Sequence, residues 1–256
     1  MTTDYIQVKA SIPICKFECP SDAKSVLLET LKDHVYDLTS IPRCVEHINF
    51  GDYLNQPIEK DILPAGLLSI HFGNNFNQPI EKDVLPSGLQ TIHFGGCFNQ
   101  LIEKDVLPTG LQTIHFGGRF NQPIENDVLP TGLQTIHFGD HFNQLIEKDV
   151  LPPGVQSIYF GHKFNQPIDN NISNKTKLYF YNIPSKITHS YTIYHIDKSN
   201  LEKLIENKKV GEIEIYESKF NNNTHYMVDV EIVNPEINKE KIMKLINQLK
   251  YELEIL

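Results

Sequence analysis

A chain of 256 residues with 40% hydrophobic side chains has enough apolar material for one elongated domain or two modest ones, which excludes wholesale disorder. The formal net charge is −9, and residues 41–171 carry 7 basic against 14 acidic side chains, so no basic stripe exists and no nucleic-acid partner is expected. No secretory leader, no run near the ~20 apolar residues of a membrane span and only four irregular cysteines (Cys15, Cys19, Cys44, Cys97) together predict a soluble intracellular protein, cytoplasmic rather than nuclear, away from membranes.

Residues 1–40 are expected to form an N-terminal cap on the chain beyond them. Ser21 or Asp22 is placed to start a helix from about 22 to 37, with Val26, Leu27, Leu31, Val35 and Leu38 at helical spacing.

From 41 to 171 the chain repeats itself. Gly51, Gly73, Gly95, Gly117, Gly139 and Gly161 recur every 22 residues, as do Leu54, Phe76, Phe98, Phe120, Phe142 and Phe164. Such a period means a solenoid. In each unit Leu-x-x-Ile-x-Phe puts Ile92 and Phe94 inward and Thr91 and His93 outward, the alternation of a strand. Gly95 is read as the bend out of that strand, and Phe98 and Ile102 turn inward again. Twenty-two residues are too few for a strand plus a normal helix, so the expectation is one short strand per coil, tight corners and extended or 3₁₀ chain beyond. Stacking then lays six strands side by side in parallel, and FNQPI at 164–168 opens a further coil that does not close.

Stacked coils turn equivalent residues into columns. Asn55, Asn77, Asn99, Asn121, Asn143 and Asn165 form an amide ladder able to bond neighbouring coils, a structural role. The outward strand face pairs one column, Ser69, Thr91, Thr113, Thr135 and Ser157, with another, His71, His93, His115, His137 and Tyr159. This face is a candidate partner-binding surface, concave in the usual solenoid manner, although duplication alone also explains its uniformity. Four histidines so close should titrate over a broad range, some depressed below the usual 6.5 or so.

Units differ most just after each strand, at Asn75, Cys97, Arg119, His141 and Lys163, a second candidate binding rim. The Glu59-to-Glu147 and Asp61-to-Asp149 columns, interleaved with Lys60, Lys82, Lys104 and Lys148, read as a solvated mixed-charge face. Cys15, Cys19, Cys44 and His47 are too loosely spaced for zinc and read as free thiols beside an outward histidine. No metal, cofactor or catalytic residue is expected, since no nucleophile elbow, phosphate loop or zincin pattern occurs.

Beyond 171 the period stops. Segment 178–183 reads as extended. YTIYHI (191–196), NLEKLIENKK (200–209), EIEIYE (212–217), HYMVDVEIV (225–233), 237–249 and YELEIL (251–256) give β-α-β-β-α-β, a ferredoxin-like order from about 190 within a C-terminal α+β domain at 172–256.

FNQPI preceded by (L/I)P-x-x-(L/V)-x-x-I-x-F-G, over about 41–168, resembles the FNIP repeat, a short relative of leucine-rich repeats from amoebae and large DNA viruses. The resemblance implies an α/β, leucine-rich-repeat-like solenoid with one short parallel strand per coil, here followed by the small C-terminal α+β domain. Family members often carry an N-terminal F-box that recruits a cullin-type ubiquitin ligase. Residues 1–40 lack the Leu-Pro start of an F-box and its apolar spacing. The expected function is therefore a non-enzymatic protein-interaction scaffold. Its alternatives are the substrate-recognition subunit of such a ligase, through a degenerate F-box-like end and a ligase adaptor, or an enzyme built on the solenoid.

Overall fold

The computed structural model describes residues 6–11, 16–17, 20–167, 172, 176–180, 191–196, 212–220 and 223–231. Among the described residues thirteen strands form one sheet, which runs from Glu212–Phe220 at one edge through Asn223–Glu231, Tyr191–Ile196 and Lys177–Phe180, then coil by coil back down the chain to Ser25–Glu29, and ends on Ile6–Ser11 and Lys16–Phe17. The centre of that sheet is the repeat: β4 (His47–Phe50), β5 (Ser69–His71), β6 (Thr91–His93), β7 (Thr113–His115), β8 (Thr135–His137) and β9 (Ser157–Phe160). Each pairs in parallel with the next at a step of one repeat, so that Ile70, Ile92, Ile114 and Ile136 stand rung above rung.

Three residues suffice for each strand because the rest of the coil is turns. In the coil of Phe98, the Phe98 N–H donates to the Gly95 carbonyl, Val106 to Glu103 and Leu111 to Pro108. The middle turn places Asp105 at φ 65°, and Asp61, Asp83, Asp127 and Asp149 hold the same left-handed conformation. A turn with a positive φ at its third residue favours glycine, asparagine or aspartate. The Asp column is thus a backbone requirement, which the mixed-charge reading did not include.

The interior is built of files. Phe76, Phe98, Phe120, Phe142 and Phe164 stack with centroids 6.0–6.2 Å apart. A second file, Phe72, Phe94, Phe116, Phe138 and Phe160, lies against the first, with Phe94 and Phe98 4.0 Å apart. All ten rings are buried. Each contributes on the order of 2 kcal/mol by leaving water, and it is covered only when a coil sits on either side.

The repeated glycine acts differently from the expected bend. Among the described residues no glycine has a positive φ. A Cβ built on Gly95 would lie 1.8 Å from the Gly73 carbonyl oxygen, and one on Gly117 would lie 1.7 Å from that of Gly95. Only a residue without a side chain lets successive coils approach this closely.

The two ends depart from expectation. In place of the helix over 22–37, β3 (Ser25–Glu29) pairs in parallel with β4, burying Val26 and Leu28 in line with Ile48 and Phe50. The open edge of the solenoid rewards the period-two alternation of Ser25-Val-Leu-Leu-Glu29 over its helical stripe. Leu31 and Val35, two members of that stripe, stand 50% and 76% exposed. β1 (Ile6–Ser11) pairs in parallel with β3, β2 (Lys16–Phe17) returns antiparallel on β1, and a 3₁₀ turn occupies Leu38–Ser40.

At the other end the coil opened by Phe164 does close. β10 (Lys177–Phe180) pairs with β9, setting Leu178 beside Ile158 and Phe180 beside Phe160. β11 (Tyr191–Ile196) lies parallel to β10 and antiparallel to β13 (Asn223–Glu231), which forms a hairpin with β12 (Glu212–Phe220). The strands at 191–196, 212–217 and 225–233 thus have counterparts. The helices expected at 200–209 and 237–249 and the strand at 251–256 lie outside the described residues.

Candidate functional site

The outward face of β4–β10 presents two columns. His47, Ser69, Thr91, Thr113, Thr135, Ser157 and Lys177 form one; Asn49, His71, His93, His115, His137, Tyr159 and Tyr179 form the other. The strands fix both, because every Ile between them is fully buried and locks the alternation.

The histidine rings stack face to face. Centroids of His71, His93, His115 and His137 succeed one another at 3.8 Å, and the file continues through Tyr159 at 4.0 Å to Tyr179 at 4.4 Å. Burial holds His93 down to about pKa 4 and His115 down to about 3, with the neighbouring imidazoles adding to the effect. Burial likewise lowers His71, helped by His47, and lowers His137. At neutral pH the four rings are therefore uncharged. Their faces cover one another, so from β5 to β9 the surface offers ring edges, serine and threonine hydroxyls and the exposed Gln90, Gln112, Gln134 and Gln156. At the top of the first column His47 Nδ1 meets Ser69 Oγ at 2.8 Å.

The rim after the strands is equally well registered. The main-chain N–H of Asn75, Cys97, Arg119, His141 and Lys163 each donates to the preceding coil at 2.8–2.9 Å. These five therefore stand in one row. The asparagine ladder runs inside it: the N–H of Asn99, Asn121, Asn143 and Asn165 each donates to the Oδ1 of the asparagine one coil before at 2.8 Å, and Asn77 to Asn55 at 2.9 Å. The adjacent glutamines add a second tie, as in Gln100 Nε2 to the Asn77 carbonyl at 3.0 Å.

On the acidic side three lysines reach the aspartate of the next coil: Lys60 to Asp83 at 3.1 Å, Lys82 to Asp105 at 3.0 Å and Lys104 to Asp127 at 2.8 Å. Asn126 stands where the next lysine would be, and the sequence leaves Asp149 without that partner. A cleft of about 440 Å³ lies here, lined by Asp127, Asp149 and apolar residues including Leu129, Leu151 and Pro153. Thr176, also at this cleft, spends its hydroxyl on the Val155 carbonyl at 2.8 Å.

Cys44 Sγ donates to the Ser21 carbonyl at 3.0 Å, tying the first coil to the N-terminal segment. Cys15 and Cys19 lie outside the described residues. Among the described residues no group of three or more His, Cys, Asp or Glu is placed to hold a metal ion, and no helix is long and apolar enough to cross a membrane.

Sequence reasoning did not place Tyr179 in the histidine column, because β10 arrives after a shortened coil and escapes the 22-residue count. The signal was the alternation of Leu178, Tyr179 and Phe180, which repeats Ile158, Tyr159 and Phe160.

Comparison with known proteins agrees with this geometry. The FNIP Repeat family matches at residues 37–75, 55–97, 98–141 and 142–189. Among solved structures the chain is similar to CroV588, described as a novel circular LRR protein, with 32% identity and a TM-score of 0.58. That likeness covers 68% of this chain and 30% of CroV588, so the chain spans less than a third of that protein. No curated protein matches. The repeated match over more than half of the residues, on coils of this leucine-rich-repeat-like form, makes the chain a member of the FNIP repeat family.

Proposed function

We propose that the chain is a non-enzymatic scaffold for protein–protein interaction, and that its binding surface includes the outward face of β5–β9. One observation carries the reading: two columns of uncharged hydrogen-bonding groups are held in fixed register on a frame whose rungs are tied by the asparagine ladder. Preorganised groups lose little freedom on binding, and their neutrality lets them be covered without stranding a charge. The stacked ring faces leave no room for a flat ligand between them, which favours a partner that lies across the face.

The test is affinity purification of the full chain with mass spectrometry of what it captures, beside a variant carrying Thr113→Arg and Thr135→Arg. A partner recovered by the native chain and lost from the variant supports the reading. Partners equally recovered by both would remove the strand face from it. A cullin adaptor among them would show the ligase alternative.

A further inference from the structure

The row after the strands is one of the outward columns that the repeat does not copy. It reads Tyr53, Asn75, Cys97, Arg119, His141, Lys163, so its last three rungs are all basic residue types. The main-chain bonds of Arg119, His141 and Lys163 to Gly96, Gly118 and Asp140, each 2.9 Å, put these three on successive coils. Neighbouring rungs of a sheet lie about 4.8 Å apart, which sets Arg119 and Lys163 roughly 10 Å apart with His141 between them.

The three side chains are exposed and make no hydrogen bond or ion pair among the described residues. Most other solenoid cations differ. Lys60, Lys82 and Lys104 are held by aspartates, and Arg43 donates to the Asp61 carbonyl at 2.8 Å. Lys148 stands between Glu147 and Asp149 in the acidic columns. Among the described residues the carboxylate next to these three rungs in sequence, Asp140, is paired with His162 Nδ1 at 2.8 Å. Gly96 and Gly118 leave the neighbouring backbone bare. A solenoid with twice as many acidic as basic side chains thus lines up uncommitted basic groups, clear of its acidic columns, in its C-terminal half.

We infer that the row Arg119–His141–Lys163 docks an acidic peptide segment of a protein partner, lying across the coils. This rests on the scaffold reading and names the partner's chemistry. A peptide in the polyproline II conformation advances about 3.1 Å per residue and returns to the same face every three residues, so carboxylates three residues apart, roughly 9 Å, match the separation of Arg119 and Lys163. Arg119 offers the planar fork that takes a carboxylate through two parallel bonds. The acidic body of the solenoid repels such a peptide elsewhere, which confines it to this line and fixes its position. It also disfavours a long polyanion such as RNA, whose phosphates would run on past the three basic groups into acidic surface.

The experiment titrates full-length chain into fluorescein-labelled octaglutamate and reads anisotropy, with octaserine and octauridylate as comparison probes. Octaglutamate is expected to bind more tightly than either, and more weakly as salt rises. The R119E/K163E variant should lose binding by about tenfold or more, R119Q/K163Q by less, and Lys82→Gln not at all. Both row positions are exposed, and circular dichroism of each variant verifies its fold. Equal binding by R119E/K163E, octaglutamate no tighter than octaserine, or octauridylate tighter than octaglutamate would each overturn the inference. A captured partner lost with Thr113→Arg/Thr135→Arg but kept with R119E/K163E would overturn the row alone and leave the scaffold standing.

Discussion

The imidazoles of His93 and His115 lie 3.8 Å apart and within 14° of parallel, each half-buried between its neighbours. Both pKa values fall well below the ordinary 6.5, to about 4 and about 3, so the folded protein refuses protons that the unfolded chain accepts. Linkage gives the sign: stability is whole above pH 7 or so and falls as pH drops from about 6.5 toward 4. Denaturant unfolding at several pH values checks it. Replacing both residues by glutamine should flatten the curve over that interval.

The asparagine ladder should be worth more inside than at its edge. Asn99→Ala removes the acceptor of the Asn121 N–H at a half-buried rung and is expected to cost about 1–2 kcal/mol. Asn55→Ala, at an exposed rung where water can substitute, should cost less. Urea unfolding of the two single variants makes the comparison.

Glycines separated by seven residues should respond oppositely to alanine. Gly95→Ala drives a methyl to 1.8 Å from the Gly73 carbonyl oxygen, so the coils must part, at a cost on the order of 3 kcal/mol. Gly88 has nothing within 4 Å of the added carbon and no positive φ. Its substitution should leave stability within about 0.5 kcal/mol of the native value in thermal melts.

Asp105 separates backbone from charge. At φ 65° an alanine is strained, and Asp105→Ala should cost on the order of 1 kcal/mol while Asp105→Gly costs less. Asp105→Asn keeps the turn and loses the ion pair with Lys82, which is exposed and screened by solvent. It should therefore unfold close to the native chain. The expected ranking, Asn and Gly above Ala, is read directly from unfolding midpoints.

The repeat made the centre of the fold readable. Spacing alone aligned Phe76, Phe98 and Phe120, and the alternation of Thr91, Ile92 and His93 gave strand and face together. Two kinds of feature escaped. Column chemistry says nothing of backbone angle, so Asp105 looked like solvent-facing charge and Gly95 like a hinge when each answers to the main chain. Sequence period also fails where coils change length. Leu178 and Phe180 continue the inner files after a shorter coil. Val26 and Leu28 stand on the period, 22 residues before Ile48 and Phe50, but the landmarks of the repeat are missing there and a helical stripe competed with a strand pattern. The open edge of the sheet decided that competition, and no local window contains that edge. The rim was visible as variation between units, but its uncommitted charge emerged only once Lys60, Lys82 and Lys104 were found tied.

What Asn121 offers to Asn143 is what Asn55 offers to Asn77, a side-chain carbonyl oxygen that takes the main-chain N–H one coil on. Excision of residues 98–119 would set the unit of Phe120 upon that of Phe76 with each contact of that kind restored. Reach, in a protein made like this, is a heritable quantity that slippage during DNA copying can lengthen or shorten in strides of about 4.8 Å without inventing a new interior.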